Sequence, residues 1–257
     1  MRRKSVAHLC QQGLTLIEMM VAMTIGLVFL LALSALFLSF KQTSMGQNGI
    51  AQMQDDQRMA MTILSQVIQS AGYFPNPASA TVSTALSADT STVSGVSFTA
   101  GQIIYGVDSG VSSTPDTLYL RYQSAQNDGV VNCQGGTNAS STTATYINQL
   151  SASATTLQLT CGLNGATAVG VVGGLNPSSA ATCTRIGYVG ISNVKFLYGF
   201  DAAGSGSVTR YASAGVVSNW SYVYAVKPVI TQLYCFQQGV APQAVTFAQT
   251  ISLPNQQ

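Results

Sequence analysis

Charged side chains are scarce: Asp, Glu, Lys and Arg make up 7% of the 257 residues, against about 25% in ordinary soluble domains. Ser, Thr, Gly, Asn and Gln fill the polar positions, a surface chemistry common in exported β-rich domains and unusual for a cytosolic enzyme. Histidine is nearly missing, His8 being the only one. A chain that loses its first residues therefore has no imidazole for a catalytic triad or a zinc site. No Cys-x-x-Cys pair occurs, and Cys133, Cys161, Cys183 and Cys235 are spaced by 28, 22 and 52 residues, which argues against a four-cysteine zinc site. A basic patch is missing too. Without Arg2, Arg3 and Lys4, seven basic residues face eight acidic ones, a net charge of −1, so no nucleic-acid partner is expected on electrostatic grounds. No metal or cofactor is expected either.

What the sequence does have is a long apolar run. From Leu14 to Phe40 there are 27 residues with one charged side chain, Glu18. As a helix that run is about 40 Å long, enough to cross a hydrocarbon core of about 30 Å. Three basic residues precede it and hold the N-terminus on the cytoplasmic side. The remainder, beyond about Lys41, is then expected outside the cytoplasm, where four cysteines form two disulfides. A secretory signal peptide fits poorly, because its apolar core is shorter and its cleavage site follows that core.

The short basic leader followed by Gly13-Leu14-Thr15-Leu16-Ile17-Glu18 closely resembles the prepilin motif of type IV pilins and type II secretion pseudopilins. The resemblance implies cleavage between Gly13 and Leu14 by a membrane prepilin peptidase, and methylation of the new amine at Leu14. The families usually have Phe where Leu14 stands, a conservative difference. A carboxylate four residues into a membrane helix costs about 2.5–3.5 kcal/mol and marks function. The amine freed at Leu14 is its natural counter-charge, within the chain or in a neighbouring subunit, where pairing with Glu18 would set the register of packed helices.

Beyond Phe40 the apolar stripe narrows to Met53, Ala60, Ile63, Leu64, Val67, Ile68 and Ala71, an amphipathic helix that packs on a globular domain, with Asp55, Asp56 and Arg58 on other faces. Gly46 and Gly49 are expected to bend or loosen it, and Gly72 with Pro75 and Pro77 to end it. Strand-like segments follow at 96–107, 117–123, 156–161, 186–200, 221–236 and 244–252, with loops at 78–95, 134–146 and 162–184. Asn127-Asp128-Gly129 reads as a turn, and Pro228 as an edge position or a break. The expected fold is α+β: a long N-terminal helix packed on an antiparallel β-sheet. The expected divisions are a leader at 1–13, a membrane or filament-core helix at 14–40, its amphipathic continuation at 41–72, and a periplasmic β-rich domain at 73–257.

Further segments resemble PilW-type minor pilins, relatives of the J-type minor pseudopilins: Ala71-Gly72-Tyr73-Phe74, Asp116-Thr117-Leu118, Leu120-Arg121-Tyr122, Asn132-Cys133-Gln134-Gly135, Leu157 to Cys161, Leu197 to Asp201, and Trp220 to Val226. Four cysteines allow three pairings; the resemblance implies Cys133 with Cys161, leaving Cys183 with Cys235. It also implies a minor pilin that helps prime pilus assembly at or near the tip, with other minor pilins and the major pilin as partners, or else a pseudopilin of a secretion system. An anchored enzyme is not expected; a tip adhesin stays open. The stretch from Asp201 to Ser207 offers one carboxylate, too few for a calcium loop, and reads as a Gly-Ser hairpin. Trp220, Tyr222, Tyr224 and Tyr234 alternate as strand residues do and are expected in the core. Asn138-Ala-Ser140 and Asn219-Trp-Ser221 match a glycosylation sequon.

Overall fold

The computed structural model describes residues 15–93, 95–174, 182–203 and 205–255, and the chain divides into two compact units, Met1–Met45 and Gly46–Gln257. One helix, α1 (Leu16–Ser70), supplies the regular structure described in the first unit and opens the second. In the second unit Ala60, Met61, Leu64, Val67 and Ile68 of α1 are buried, at the three- and four-residue steps of one helix face. That face packs into a core shared with residues of two antiparallel sheets, such as Leu118, Leu150, Val194 and Ile230.

The helix does not loosen at Gly46 and Gly49. It continues through both, and Gly49 has a different cause: a Cβ there would lie 2.8 Å from Gly187 Cα and 2.9 Å from Tyr188 N. Only glycine lets the helix approach that strand so closely. The helix ends at Gly72, whose φ of +77° suits the left-handed residue that closes a helix. Asn255 Nδ2 donates to the carbonyls of Gln69 at 3.3 Å and Ala71 at 3.0 Å, supplying partners at a terminus where helical carbonyls lack them.

A short helix, α2 (Val82–Ala85), precedes a hairpin of β1 (Asp89–Val93) and β2 (Val96–Phe98). The first five-stranded sheet has the order β3 (Ile104–Val107), β4 (Thr117–Ser124), β5 (Ala144–Ser153), β6 (Gln158–Leu163), β7 (Val169–Gly173). The second has the order β11 (Gln243–Ala248), β10 (Val223–Cys235), β8 (Gly187–Phe200), β9 (Arg210–Ala212), with β12 (Ile251–Ser252) also on β10. Two sheets thus stand where one was expected. Strands β1 and β7 and the first three residues of β5 fall in stretches read as loops, and the rest of β5 lies where no strand was expected. The expected strand at 96–107 is two strands, β2 and β3.

Pro228 sits inside β10 opposite Phe196 of β8, so it is not at an edge and the strand itself continues through it. On the other side of β10 the partner changes there, from β12 at Ala225 and Val226 to β11 from Val229 onward. A residue without an N–H is tolerated where that ladder is interrupted. Asp128 organises the 125–130 turn, accepting from Ala125 N at 2.8 Å, Ser124 Oγ at 2.9 Å and Val130 N at 3.1 Å. The cysteines are joined as Cys133–Cys161 and Cys183–Cys235, the arrangement the resemblance implied. Loops of 28 and 52 residues correspond to about 3.6 and about 4 kcal/mol of stabilisation in chain-entropy terms.

Candidate functional site

The N-terminal segment carries the chemistry that the sequence singled out. Gly13 and Leu14 lie outside the described residues. Thr15 Oγ1 accepts from Glu18 N at 3.4 Å and lies 3.5 Å from Glu18 Oε2, so the hydroxyl sits as a cap at the start of α1. Glu18 occupies the first turn, where a carboxylate is favoured by the helix dipole.

Behind Glu18 the helix surface is almost wholly apolar. Leu16, Phe29, Leu30, Phe37 and Phe40 are each at least 66% exposed, and an 18-residue window reaches a mean hydropathy of 2.6 with none of it buried. The run from Leu16 to Phe40 extends about 37 Å, and the helix is long and apolar enough to cross a membrane. Two of its hydroxyls are satisfied within the helix: Thr24 Oγ1 donates to Val21 O at 2.9 Å and Ser34 Oγ to Leu30 O at 2.8 Å. Such bonds leave no hydroxyl proton to be desolvated in hydrocarbon. Glu18 is the charged side chain of this segment.

Residues 9–34 match the family model described as the prokaryotic N-terminal methylation motif. The chain has a type IV pilin-like N-terminus. That motif implies processing by a prepilin peptidase and membership of a pilus or pseudopilus, and with the apolar helix it points to membrane anchoring. No curated protein and no solved structure matches the chain.

Several polar groups outside this segment have structural roles. Arg121, expected only as part of a strand, is 1% exposed. Its Nε donates to Gln102 O at 3.0 Å, Nη1 to Ser87 O at 2.8 Å, and Nη2 to Thr99 O at 2.9 Å and Leu86 O at 3.2 Å. Its guanidinium also lies 5.0 Å over the Phe98 ring. Burial pulls its pKa down and the charge of Asp89 opposes this. One side chain thereby fastens the segment from Leu86 to Gln102. No sequence signal marks this use, because the carbonyls come from a loop without a pattern.

Asp56 also differs from expectation. It is half-buried against the second sheet, within hydrogen-bond reach of the Tyr188 hydroxyl, which accepts from Gln232 Nε2 at 3.1 Å. Gln232 Nε2 also donates to Met53 O at 3.2 Å, and the Tyr234 hydroxyl to Gly46 O at 2.8 Å. The carboxylate of Asp201 is consumed by its own turn, accepting from Ala203 N at 3.1 Å and Ser205 N at 2.5 Å. Hydrogen bonds from the Ser205 side chain and backbone hold its carboxyl below the usual range. Among the described residues no group of three or more His, Cys, Asp or Glu could hold a metal ion.

Of the two sequons, Asn138 is buried, its amide donating to Ser124 O at 2.8 Å and Thr142 O at 2.9 Å, while Asn219 is exposed. Trp220 packs edge-on to Tyr198 at 4.9 Å, and Tyr234 is buried. Tyr222, expected in the core, is instead 37% exposed. It lies in a 3-10 turn, Trp220–Tyr222, that breaks the strand alternation before β10 begins.

Proposed function

We propose that this chain is a PilW-type minor pilin that takes part in initiating a type IV pilus. Cleavage between Gly13 and Leu14 frees the amine that is methylated at Leu14. The helix from Leu16 to Phe40 then packs laterally against helices of other minor pilins and the major pilin. Glu18 supplies the charge that selects register, pairing with the amine of Leu14 in its own or a neighbouring chain. The observation that carries this reading is the methylation motif opening directly into a long helix whose apolar residues are uncovered. The role is structural and not enzymatic. The protein is held by one span in the inner membrane with the β-rich unit in the periplasm, and it is incorporated at or near the pilus tip.

The test is the yield of sheared surface pili from a clean deletion strain and from its complemented partner. Loss of pili that complementation restores is the expected result. Normal piliation with a defect in protein secretion would overturn the reading in favour of a minor pseudopilin of a type II secretion system.

A further inference from the structure

A cleft of about 430 Å³ opens between the start of β10 and the segments around α2. Its aromatic wall is Tyr222 and Tyr224, and its polar wall carries Thr81, Ser83, Ser221 and Asn255. Neither tyrosine ring belongs to an aromatic pair, and neither hydroxyl has a hydrogen-bond partner among the described residues. By contrast Tyr105, Tyr122, Tyr146, Tyr198 and Tyr234 are each paired with another ring, stacked, tilted or edge-on. Two rings left unstacked beside one another in a concave site are available to something outside the chain.

Both walls are held in place. Asn219 Oδ1 accepts from Ser221 N at 3.0 Å and fixes the turn that presents Tyr222, and Leu253 N donates to Tyr224 O at 2.8 Å. Across the cleft, Thr84 Oγ1 accepts from Thr81 N at 2.9 Å. The following segment is fastened through Leu86 O and Thr99 O by the buried Arg121. Asn255 spends Nδ2 on α1 and keeps its Oδ1 without a partner among the described residues.

The lining contains no charged side chain, so nothing in it compensates for desolvating an ion. A peptide that docks by adding a strand would need an open strand edge, and β10 has none here: Ala225 is paired with Gly199 of β8 on one side and Ser252 of β12 on the other. A neutral molecule with a flat C–H face for the rings and many hydroxyls for the hydroxyl and amide groups satisfies both walls. We propose that this cleft binds a neutral carbohydrate, one pyranose face lying on Tyr222 and Tyr224. The inference does not rest on the pilus-assembly reading and holds or fails in either kind of filament.

The test titrates the full chain, in a zwitterionic detergent without a sugar headgroup, with maltotriose, cellotriose and triacetylchitotriose, followed by calorimetry and saturation-transfer NMR. At least one trisaccharide is expected to bind with a Kd of about 1 mM, and Tyr222→Ala to weaken it roughly tenfold. Tyr224→Leu, which keeps apolar bulk without the ring, is expected to weaken it similarly. Tyr222→Phe and the exposed variant Val240→Ala, beyond the far end of β10, are expected to bind as the parent does, with unfolding midpoints unchanged in all four. The proposal is overturned if none of the three binds at up to about 20 mM, if binding survives both ring deletions, or if only a sulfated oligosaccharide or a peptide binds.

Discussion

Lys195 Nζ lies 2.7 Å from Asp116 Oδ1, and the pair ties the first sheet to the second. Asp116 immediately precedes β4 and Lys195 belongs to β8. The same carboxylate accepts from Ser109 N at 3.1 Å and Phe196 N at 3.3 Å, and its side chain is 5% exposed. Removing the acid leaves two N–H groups without their acceptor and Lys195 with Ser109 Oγ, 2.8 Å away, as its remaining partner, whereas removing the base leaves the acid still hydrogen-bonded. Asp116→Ala is therefore expected to cost about 3 kcal/mol and Lys195→Met about 1 kcal/mol, measured by denaturant titration. Equal losses would show that the ion pair, and not the backbone bonds to Asp116, holds the sheets together.

Arg121 makes four hydrogen bonds to carbonyls of one segment. A lysine keeps the charge but cannot fork to carbonyls that lie in different directions. Arg121→Lys is expected to destabilise the second unit by about 2–4 kcal/mol and to speed proteolytic cleavage between Leu86 and Gln102. Unchanged cleavage in that interval would contradict the fastening role.

Asp56 and Asp201 respond to pH in opposite directions. Burial raises the carboxyl of Asp56 above its ordinary 3.8, the Tyr188 hydrogen bond opposing this and the charge of Asp55 adding to it. Its folded form favours the proton, so its contribution is fully present below 3.8 and is lost as pH rises through the raised value. Asp201 is held low by Ser205, so its contribution is present above 3.8 and is lost as pH falls through the lowered value. Asp56→Asn is expected to gain in unfolding midpoint relative to the parent as pH rises from about 4 to about 7. A constant difference over that range would contradict the assignment.

On the pilin reading, the N-terminal residues separate processing from assembly. Replacing Gly13 with a bulky residue is expected to leave an unprocessed precursor retained in the membrane, visible as a mobility shift on gels. Glu18→Val is expected to insert and be processed normally but to be depleted at least about tenfold from sheared fibres, since losing a buried charge pair is costly. Equal recovery of Glu18→Val in fibres would contradict the pairing role.

What could be read in the sequence was what repeats. The three- and four-residue spacing from Ala60 to Ala71 located the helix face that enters the core, and the β-branched and aromatic residues of β8 and β10 located the central pair of the second sheet. Strand β5 escaped because its sequence ATYINQLSAS is mostly polar. Its buried Asn148 is held by a partner from a distant loop, Cys133 N donating to Asn148 Oδ1 at 2.9 Å. Strand β7, VGVVG, escaped because its glycines mimic a loop. Asp56 was misjudged and Arg121 passed over for one reason: a charge buried by a distant element looks, along the chain, like a charge in solvent. The prepilin residues were legible because their signal is local, whereas the Tyr222 cleft is assembled from residues 81 to 255 and exists only after folding.

The order of the cysteines has a consequence for oxidation. Each bond joins neighbours in the succession of half-cystines, Cys133 to Cys161 and then Cys183 to Cys235. A β-rich unit delivered into an oxidising compartment from its N-terminal end onward exposes each thiol's native mate before any competing thiol of that unit arrives. An oxidant that simply joins thiols as they emerge writes the native pattern, so shuffling by an isomerase is dispensable for vectorial delivery and matters only when the whole chain is oxidised at once.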